Sequence, residues 1–364
     1  MSLWRQRPER VATKIEVGIL GATAMVGQQL IALLEQHPWF QITWLAASEP
    51  SQGHRYGDLP WRLPGKVPAG LTDQKVEAPR PRDAPQLVFS ALDAAAAGEM
   101  EPAFAAAGHY VVSNARNFRM DPFVPLLIPE VNAQHLDLVL IQQQRKRWRG
   151  AIVTNPNCST IFLAIVLAAL REFHVKRGVV TTMQALSGAG YPGVASADSA
   201  ANVIPWIEGE EEEIEIKTQK ILGRFMVNSI EPASVQISAQ ASRVPVLHGH
   251  TEMVSLEMGE RVSSEQVEEA FREFPGVART LHLPSAPTKP IVVHLERDRP
   301  QPRLDAETGA GMLVHVGRVR KCSVLDHKFV VLGHNLIRGA AGAALLNAEL
   351  LVARQLFAPV QGLP

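Results

Sequence analysis

The chain has 364 residues, 46% of them apolar and 20% charged, with 36 basic and 36 acidic side chains. This length predicts about two domains. The composition excludes wholesale disorder, and a neutral chain lacks the charge excess needed to hold a polyanion, so no nucleic-acid partner is expected. Two cysteines, Cys158 and Cys322, cannot build a disulfide framework and suit a reducing compartment, so a cytoplasmic location is expected. The longest uninterrupted apolar run, residues 161–170, is about half a membrane span, so no membrane association is expected. Arg5, Arg7, Arg10 and Lys14 precede no apolar segment and read as a basic arm rather than a targeting signal.

From residue 14 the pattern alternates. Residues 14–20 place Ile15, Val17 and Ile19 in a strand-like run that ends in a glycine-rich turn. Val26, Leu30, Leu33 and Leu34 then form one face of a helix that stops before Pro38. Strand-like runs follow at 41–47, 87–92 and 110–113, with an alanine-rich stretch at 93–107 between the last two. This rhythm predicts βαβ units and a parallel sheet. The polar, basic stretch 142–149 reads as a helix end or linker at a domain boundary. Beyond it, strand-like runs at 178–186, 234–246, 251–258, 291–296, 312–320 and 329–333 have fewer helices between them. Ser263 and Gln266 make a capping box for a helix that buries Val267, Ala270, Phe271 and Phe274. A last helix, about residues 338–356, is expected to return to the first domain.

Several stretches carry chemistry. G-A-T-A-M-V-G at 21–27 follows a strand and opens a helix. Gly18, Gly21 and Gly27 allow a tight turn and close approach to a pyrophosphate, which the helix N-terminus favours; Ala24 stands where a further close glycine is common. N-P-N-C-S-T at 155–160 places Cys158 between a strand and an apolar helix. The helix dipole favours a thiolate there, so a lowered pKa and a nucleophile are expected, a small core residue being the other reading. Cys322 has no such setting and reads as structural. In R-V-P-V-L-H-G-H-T-E at 243–252, His248 and His250 share a face of an extended chain. No further ligand stands at zinc spacing, so no metal is expected. One of the two histidines is a candidate general base for Cys158, or both are structural. S-N-A-R-N-F-R-M at 113–120 sets Arg116 and Arg119 beyond a parallel strand, where an arginine fork suits phosphate or carboxylate. The glutamate run at 208–215 reads as a solvated helix face.

Six motifs in order, G-A-T-x-M-V-G, V-P-L-L-I-P-E-V-N (124–132), T-N-P-N-C-S-T, M-Q-A-L-S-G-A-G-Y-P-G (183–193), R-V-P-V-L-x-G-H-T-E and G-H-N-x-I-R-G-A-A-G (333–342), carry a resemblance. Over nearly its whole length the chain resembles the aspartate-semialdehyde dehydrogenases of the archaeal and fungal branch. The resemblance implies an α/β fold: a Rossmann-type NADP-binding domain (1–150 with 336–364) and an α+β catalytic and dimerisation domain with a large mixed sheet (151–335). It implies a homodimer or homotetramer that interconverts aspartate 4-semialdehyde and 4-aspartyl phosphate, using phosphate and NADP, through an acyl-thioester on Cys158. His250 would be the acid/base, and Gln184 and Asn157 would orient the reacting groups. Arg243 would hold the substrate carboxylate, Glu210 its amine and Arg119 the phosphate. Gly21, Thr23, Ala24, Met25 and Val26, with Ser187, Gly188 and Asn335, would contact the dinucleotide.

Departures from the family pattern bear on specificity. Glu213 stands where the family has a phosphate-binding lysine, and Lys217 is the nearest replacement. His248 replaces a usual aspartate, as in malonyl-CoA reductases, so an acyl-CoA reductase on the same scaffold is the alternative. After the second strand, Glu49 suits the ribose hydroxyls of NAD, whereas Ser48, Ser51 and Arg55 suit the 2′-phosphate of NADP. Pro50 replaces a usual basic residue, yet NADP remains the expected cofactor.

Overall fold

The structure, a computed structural model, describes residues 14–357; Arg5, Arg7 and Arg10 of the basic arm lie outside the described residues. The first half alternates strands with helices as the apolar periodicity requires: β1 (Ile15–Leu20), α1 (Met25–Leu34), β2 (Phe40–Ala46), β3 (Leu87–Ser90), α2 (Ala94–Ala107), β4 (Tyr110–Ser113), the short α3 (Pro129–Asn132), α4 (Leu138–Lys146) and β5 (Ala151–Thr154). The five strands make one parallel sheet in the order β2-β1-β3-β4-β5. Helices cover both faces, which is why β3 and β5 are buried at every position.

β5 pairs with β4 beyond residue 150. It is the fifth strand of the first sheet, so that sheet extends through Thr154. The basic stretch 142–149 is the end of α4, closed by Arg147 in the left-handed conformation, and it leads into β5 rather than into a second domain.

The second half comprises α5 (Cys158–Ala169), β6 (Arg177–Gln184), α6 (Ser196–Ser199), α7 (Glu210–Leu222), the hairpin β7 (Arg224–Phe225) and β8 (Ile230–Glu231), β9 (Gln236–Arg243), β10 (His250–Glu257), α8 (Ser264–Glu273), α9 (Ala278–Leu281), β11 (Ile291–His294), α10 (Pro302–Asp305), β12 (Val314–Lys321) and β13 (His327–Gly333). Six strands form a mixed sheet, β11-β12-β13-β10-β6-β9. Its inner face packs Val180, Val254, Val316 and Val331 against Ile161, Phe162 and Ile165 of α5. Apolar along almost its whole length, α5 has no polar face because the two halves of the molecule close over it. The capping box on α8 forms in both directions, with Val267 and Phe271 buried beneath it.

The chain then returns to the first sheet. A π-turn (Ile337–Ala341) precedes α11 (Gly342–Ala353), so the α-helix starts later than the composition predicts. Leu345, Leu346 and Leu350 of α11 share a core with Ile19, Phe89 and Val112. Arg338 in the π-turn forms an ion pair with Glu130 at 2.9 Å, both side chains at 1% exposure or less. This pair ties two distant motifs together and accounts for the charged residue in each.

The glutamate run at 208–215 is not merely a solvated face. β9 is an edge strand with backbone N–H groups facing outward. Glu211 accepts the N–H of Ala241 at 2.8 Å and Glu215 that of Ala239 at 2.9 Å. Carboxylates one helical turn apart thus match N–H groups two residues apart on the strand and cover the edge.

Candidate active site

Cys158 is the first residue of α5, just past the C-terminal end of β5, with Asn157 as N-cap. Gly339 presses on it: a Cβ at that glycine would lie 2.5 Å from the Cys158 Cβ, so the π-turn backbone forms one wall of the site. Burial pushes the Cys158 thiol up to about 12, with Glu210 adding to the effect; the Ser159 N–H, Arg243 and Arg119 oppose it. The expected lowering is therefore corrected. The helix N-terminus contributes as foreseen, but desolvation outweighs it.

His250 opens β10 and is fully buried. Its Nδ1 accepts the Ala185 N–H at 3.0 Å, so the neutral ring carries its proton on Nε2, which has no hydrogen-bond partner among the described residues. Burial, with Arg243 and His334 nearby, holds the ring pKa well below the ordinary imidazole value. In this arrangement His250 is a neutral ring that offers an Nε2–H donor. His248 lies apart from it, stacked on His334 at 5.2 Å and hydrogen-bonded to Ser187 at 3.0 Å. Gly188 separates the turn from the cleft. A Cβ there would lie 2.8 Å from Arg243 and 2.9 Å from His250, which explains glycine at this position.

Glu210, the first residue of α7, accepts from Asn157 Nδ2 at 2.8 Å and Gln184 Nε2 at 2.9 Å on one carboxylate oxygen. Gln184 also donates to Ser159 at 2.9 Å, and Thr160 donates to Asn157 at 2.5 Å. Three residues named from motifs therefore meet in one hydrogen-bonded group at the foot of α5. Arg243, at the end of β9, is buried and gives one donor to the Ala185 carbonyl at 2.9 Å. Burial draws its pKa down, while Cys158 and Glu210 pull it back.

The anion side of the site departs from expectation. Arg119 is buried and donates to Glu213 at 2.9 Å, and Lys217 is ion-paired with the same carboxylate oxygen. The two cations proposed for phosphate are indeed neighbours, but Glu213 lies between them. Burial, with Arg119 beside it, pushes the Lys217 ammonium down to about 6, and Glu210 pulls it back in part. Arg116 stays exposed. Lys220, which sequence reasoning passed over, donates to the carbonyls of Arg119, Asp121 and Val124 at 2.7, 2.8 and 3.0 Å. It pins the Arg119 loop to α7 from about a hundred residues away, and no local pattern marks it.

At the other end of the cleft, Gly21 has φ +77°, and a Cβ on Gly27 would lie 2.2 Å from the Gly21 carbonyl. α1 has no side-chain cap and no acidic residue in its first turn, so the N–H groups at Thr23, Met25 and Val26 are available as an anion cradle, while that of Ala24 is taken by the Gly21 carbonyl at 3.0 Å. This fits a dinucleotide pyrophosphate. Asn335 donates to Ser187 at 2.8 Å and accepts the Gly249 N–H at 2.9 Å, fixing the Ser187–Gly188 turn opposite. Ser48 precedes and Ser51 ends a single 3-10 turn after β2. Arg55 does not join them: its guanidinium is taken by Asp73 and lies 3.8 Å from Asp58. Both of these ion pairs are exposed. A hollow lined by Arg80, Arg82, His109 and Arg149 lies at the amino end of β4 and β5, opposite the reactive cysteine.

Nucleotide-type sheet, mixed sheet and a cysteine between them define a two-domain class, and the comparisons agree. Residues 16–139 match the model of the semialdehyde dehydrogenase NAD-binding domain, and residues 167–338 match that of its dimerisation domain. Aspartate-semialdehyde dehydrogenase of Archaeoglobus fulgidus is 48% identical over 94% of this chain and all of its own length. The enzyme of the same name from Cryptococcus neoformans is 45% identical over 94% of this chain and 98% of its own. Among solved structures, aspartate semialdehyde dehydrogenase with NADP from Candida albicans superposes with a TM-score of 0.87 at 40% identity, covering 94% of this chain and 100% of that one. The chain belongs to the aspartate-semialdehyde dehydrogenase family.

Proposed function

We propose that this protein is an NADP-dependent, phosphorylating aspartate-semialdehyde dehydrogenase. The observation that carries the reading is the convergence of Cys158, His250, Arg243 and Glu210 on one cleft beside the α1 cradle. Arg243 pairs with the substrate carboxylate and Glu210 with its ammonium, Asn157 and Gln184 holding the Glu210 carboxylate in place. Sγ of Cys158 adds to the aldehyde carbon, and the thiol proton ends on the former aldehyde oxygen, giving a hemithioacetal. The α1 cradle with Ser48, Ser51, Ser187, Gly188 and Asn335 would hold NADP, which would supply the hydride acceptor for oxidation of the hemithioacetal to the thioester, the hydroxyl proton leaving to water. Phosphate oxygen then attacks the thioester carbonyl, and the C–S bond breaks to return the thiol and release 4-aspartyl phosphate. Both tetrahedral stages develop charge on the same oxygen. The Nε2–H of His250 serves there as an oxyanion donor.

Reduction of NADP that depends on both aspartate 4-semialdehyde and phosphate is the expected result. NADPH-dependent reduction of malonyl-CoA without any phosphate requirement would instead promote the acyl-CoA alternative, which finds no support among the relatives described. Ser48 and Ser51 favour NADP, and equal or better kcat/KM with NAD would reject that choice.

Phosphate must displace Glu213 from Arg119 and Lys217. Glu213→Gln therefore lowers the phosphate KM several-fold near pH 6, and Lys217→Ala raises it at least tenfold, about 1.4 kcal/mol. The variants also differ with pH. Lys217, pushed down to about 6 with Glu213 in place, goes lower still without that carboxylate, and anion binding needs the charged form. The phosphate KM of Glu213→Gln should accordingly climb toward higher pH, more steeply than that of the parent. A Lys217→Ala variant with unchanged phosphate KM overturns the assignment.

We further assign residues 14–157 and 336–357 to the nucleotide domain and 158–335 to the catalytic domain, on strand membership and on how α11 packs. The protein acts in the cytoplasm, where its two free thiols stay reduced. It assembles as a homodimer or homotetramer through the outer face of the mixed sheet, where Val179 and Met253 are 49% and 45% exposed on neighbouring strands. Changing both to glutamate should give monomers in sedimentation, and an undisturbed oligomer would move the interface elsewhere.

A further inference from the structure

His294, His315 and Asp305 come together outside the catalytic cleft, and one ligand atom from each lies within 4.8 Å of the other two. In the parallel pairing of β11 with β12, Val292 stands opposite His315, and His294 follows two residues on. Both imidazoles therefore rise from one face of the sheet. That face is opposite the core face of Val314 and Val316, and Asp305 reaches it from α10 in the segment between the strands. His315 and Asp305 are buried, at 2% and 1% exposure.

The lone pairs are already oriented. Thr308 Oγ1 donates to the Asp305 carbonyl at 2.8 Å and so accepts from His315 Nε2 at 3.0 Å. This leaves Nδ1 of His315 as a bare acceptor, and His294 Nε2 approaches it at 3.0 Å. His294 Nε2 is also 3.8 Å from Asp305 Oδ1. Two nitrogens bound tetrahedrally at 2.0–2.1 Å stand about 3.3 Å apart, so the pair needs to open by only a few tenths of an ångström. The remaining histidine nitrogens have outer partners of the kind metal-binding imidazoles use. Thr308 takes Nε2 of His315, and Glu296 lies 3.8 Å from Nδ1 of His294.

We propose that His294 Nε2, His315 Nδ1 and Asp305 Oδ1 form a site for a divalent transition-metal ion of the zinc class, with water completing the coordination. Binding moves the His294 proton from Nε2 to Nδ1, toward Glu296, so no net proton is released from the ring. A cation already stands at the carboxylate. Arg299 donates its Nε to Asp305 Oδ2 at 2.7 Å and its Nη2 to Oδ1, and the Gln301 N–H also reaches Oδ2, at 2.6 Å. The ion takes Oδ1 from Nη2 and leaves the other two bonds in place. The Arg299 side chain is 26% exposed, so Nη2 can pair with water while Nε keeps Oδ2. Competition from Arg299 makes the site weaker than one built only of ligands.

The metal would brace one wall of the cleft rather than take part in the reaction. Pro302, which opens α10, and Ala306, which follows Asp305 as its C-cap, stand where a Cβ on Gly249 would touch them at 3.2 and 3.1 Å, beside His250. Glu307 pairs with His334 at 3.1 Å, and His334 carries the His248 stack against Ser187.

The test titrates Co2+ into the Cys158→Ser, Cys322→Ser double variant, which removes both thiols as ligands, and follows the visible bands of a four-coordinate cobalt site. Thermal midpoints with and without Zn2+ give a second readout. The expected result is one equivalent per chain, with affinity cut at least tenfold by His294→Gln and increased by Arg299→Gln. Zn2+ should raise the midpoint of the parent and not that of His294→Gln. A merely structural cluster predicts the opposite for arginine, since losing the ion pair would destabilise the fold without favouring metal. The proposal is overturned if cobalt binding is absent, or if it is indifferent to both the His294 and the Arg299 substitution.

Discussion

Alanine in place of Cys158 should abolish turnover, a loss of at least about 10⁴-fold, while leaving NADP binding within about twofold of the parent. The nucleophile is at the N-terminus of α5, whereas the phosphate cradle belongs to α1, so the two functions separate in a binding titration. Serine should rescue little, because burial that lifts a thiol to about 12 disfavours an alkoxide still more. The same burial sets a pH dependence. Thiolate forms only as pH approaches the raised pKa, so inactivation of the ligand-free Cys322→Ala enzyme by iodoacetamide should keep accelerating through pH 7 to 10. A plateau below pH 8 would mean that the helix dipole prevails and that the burial argument is wrong. In the parent chain Cys322 should react first, because the N–H groups of Leu325 and Val324 lower its pKa, yet its modification should leave activity intact. Activity lost with Cys322 and kept without Cys158 would reverse the assignment.

His250→Ala should cost about 10³-fold in kcat and His250→Asn roughly 10²-fold, the range for losing or weakening one oxyanion donor. Asparagine offers an N–H but cannot exchange protons with the reacting oxygen. A donor role therefore predicts partial rescue by asparagine and a pH–rate profile that keeps its shape. If asparagine is as inactive as alanine and one limb of the profile disappears, His250 cycles its proton, and its ring must first release the Ala185 N–H from Nδ1. Nucleotide affinity distinguishes either outcome from collapse of the fold.

Much of this molecule was legible in its sequence where the evidence is local. Apolar runs and turn glycines located the strands of both sheets to within a few residues, continuous runs where both faces are covered, as in β3 and β5, and alternation where one face is, as in β6 and β9. The capping box named the start of α8 from four residues. Gly21, Gly27 and Cys158 were readable because their roles depend on the backbone beside them: a positive φ, a close carbonyl, a helix N-terminus. Gly339 stood in a recognised motif, but its reason, contact with Cys158, is a distance between residues far apart in the chain.

What only tertiary structure decided are the charges and their partners. Cys158 was expected to ionise easily, since the sequence displays the helix that favours a thiolate and hides the burial and the Glu210 carboxylate that oppose it. Arg55 and Arg119 look alike as exposed basic residues beyond strands, yet one is compensated by Asp73 and the other is buried against Glu213, 94 positions away. Lys220 matched no motif and still holds three carbonyls. β5 followed a basic stretch that read as a linker, and its pairing with β4 in the first sheet is a long-range contact no local pattern displays. Residue type and periodicity determine which segments fold and which side chains can react, because those properties act over a few residues. Protonation, pairing and the meeting of His294, Asp305 and His315 depend on what burial and long-range contacts place beside each group.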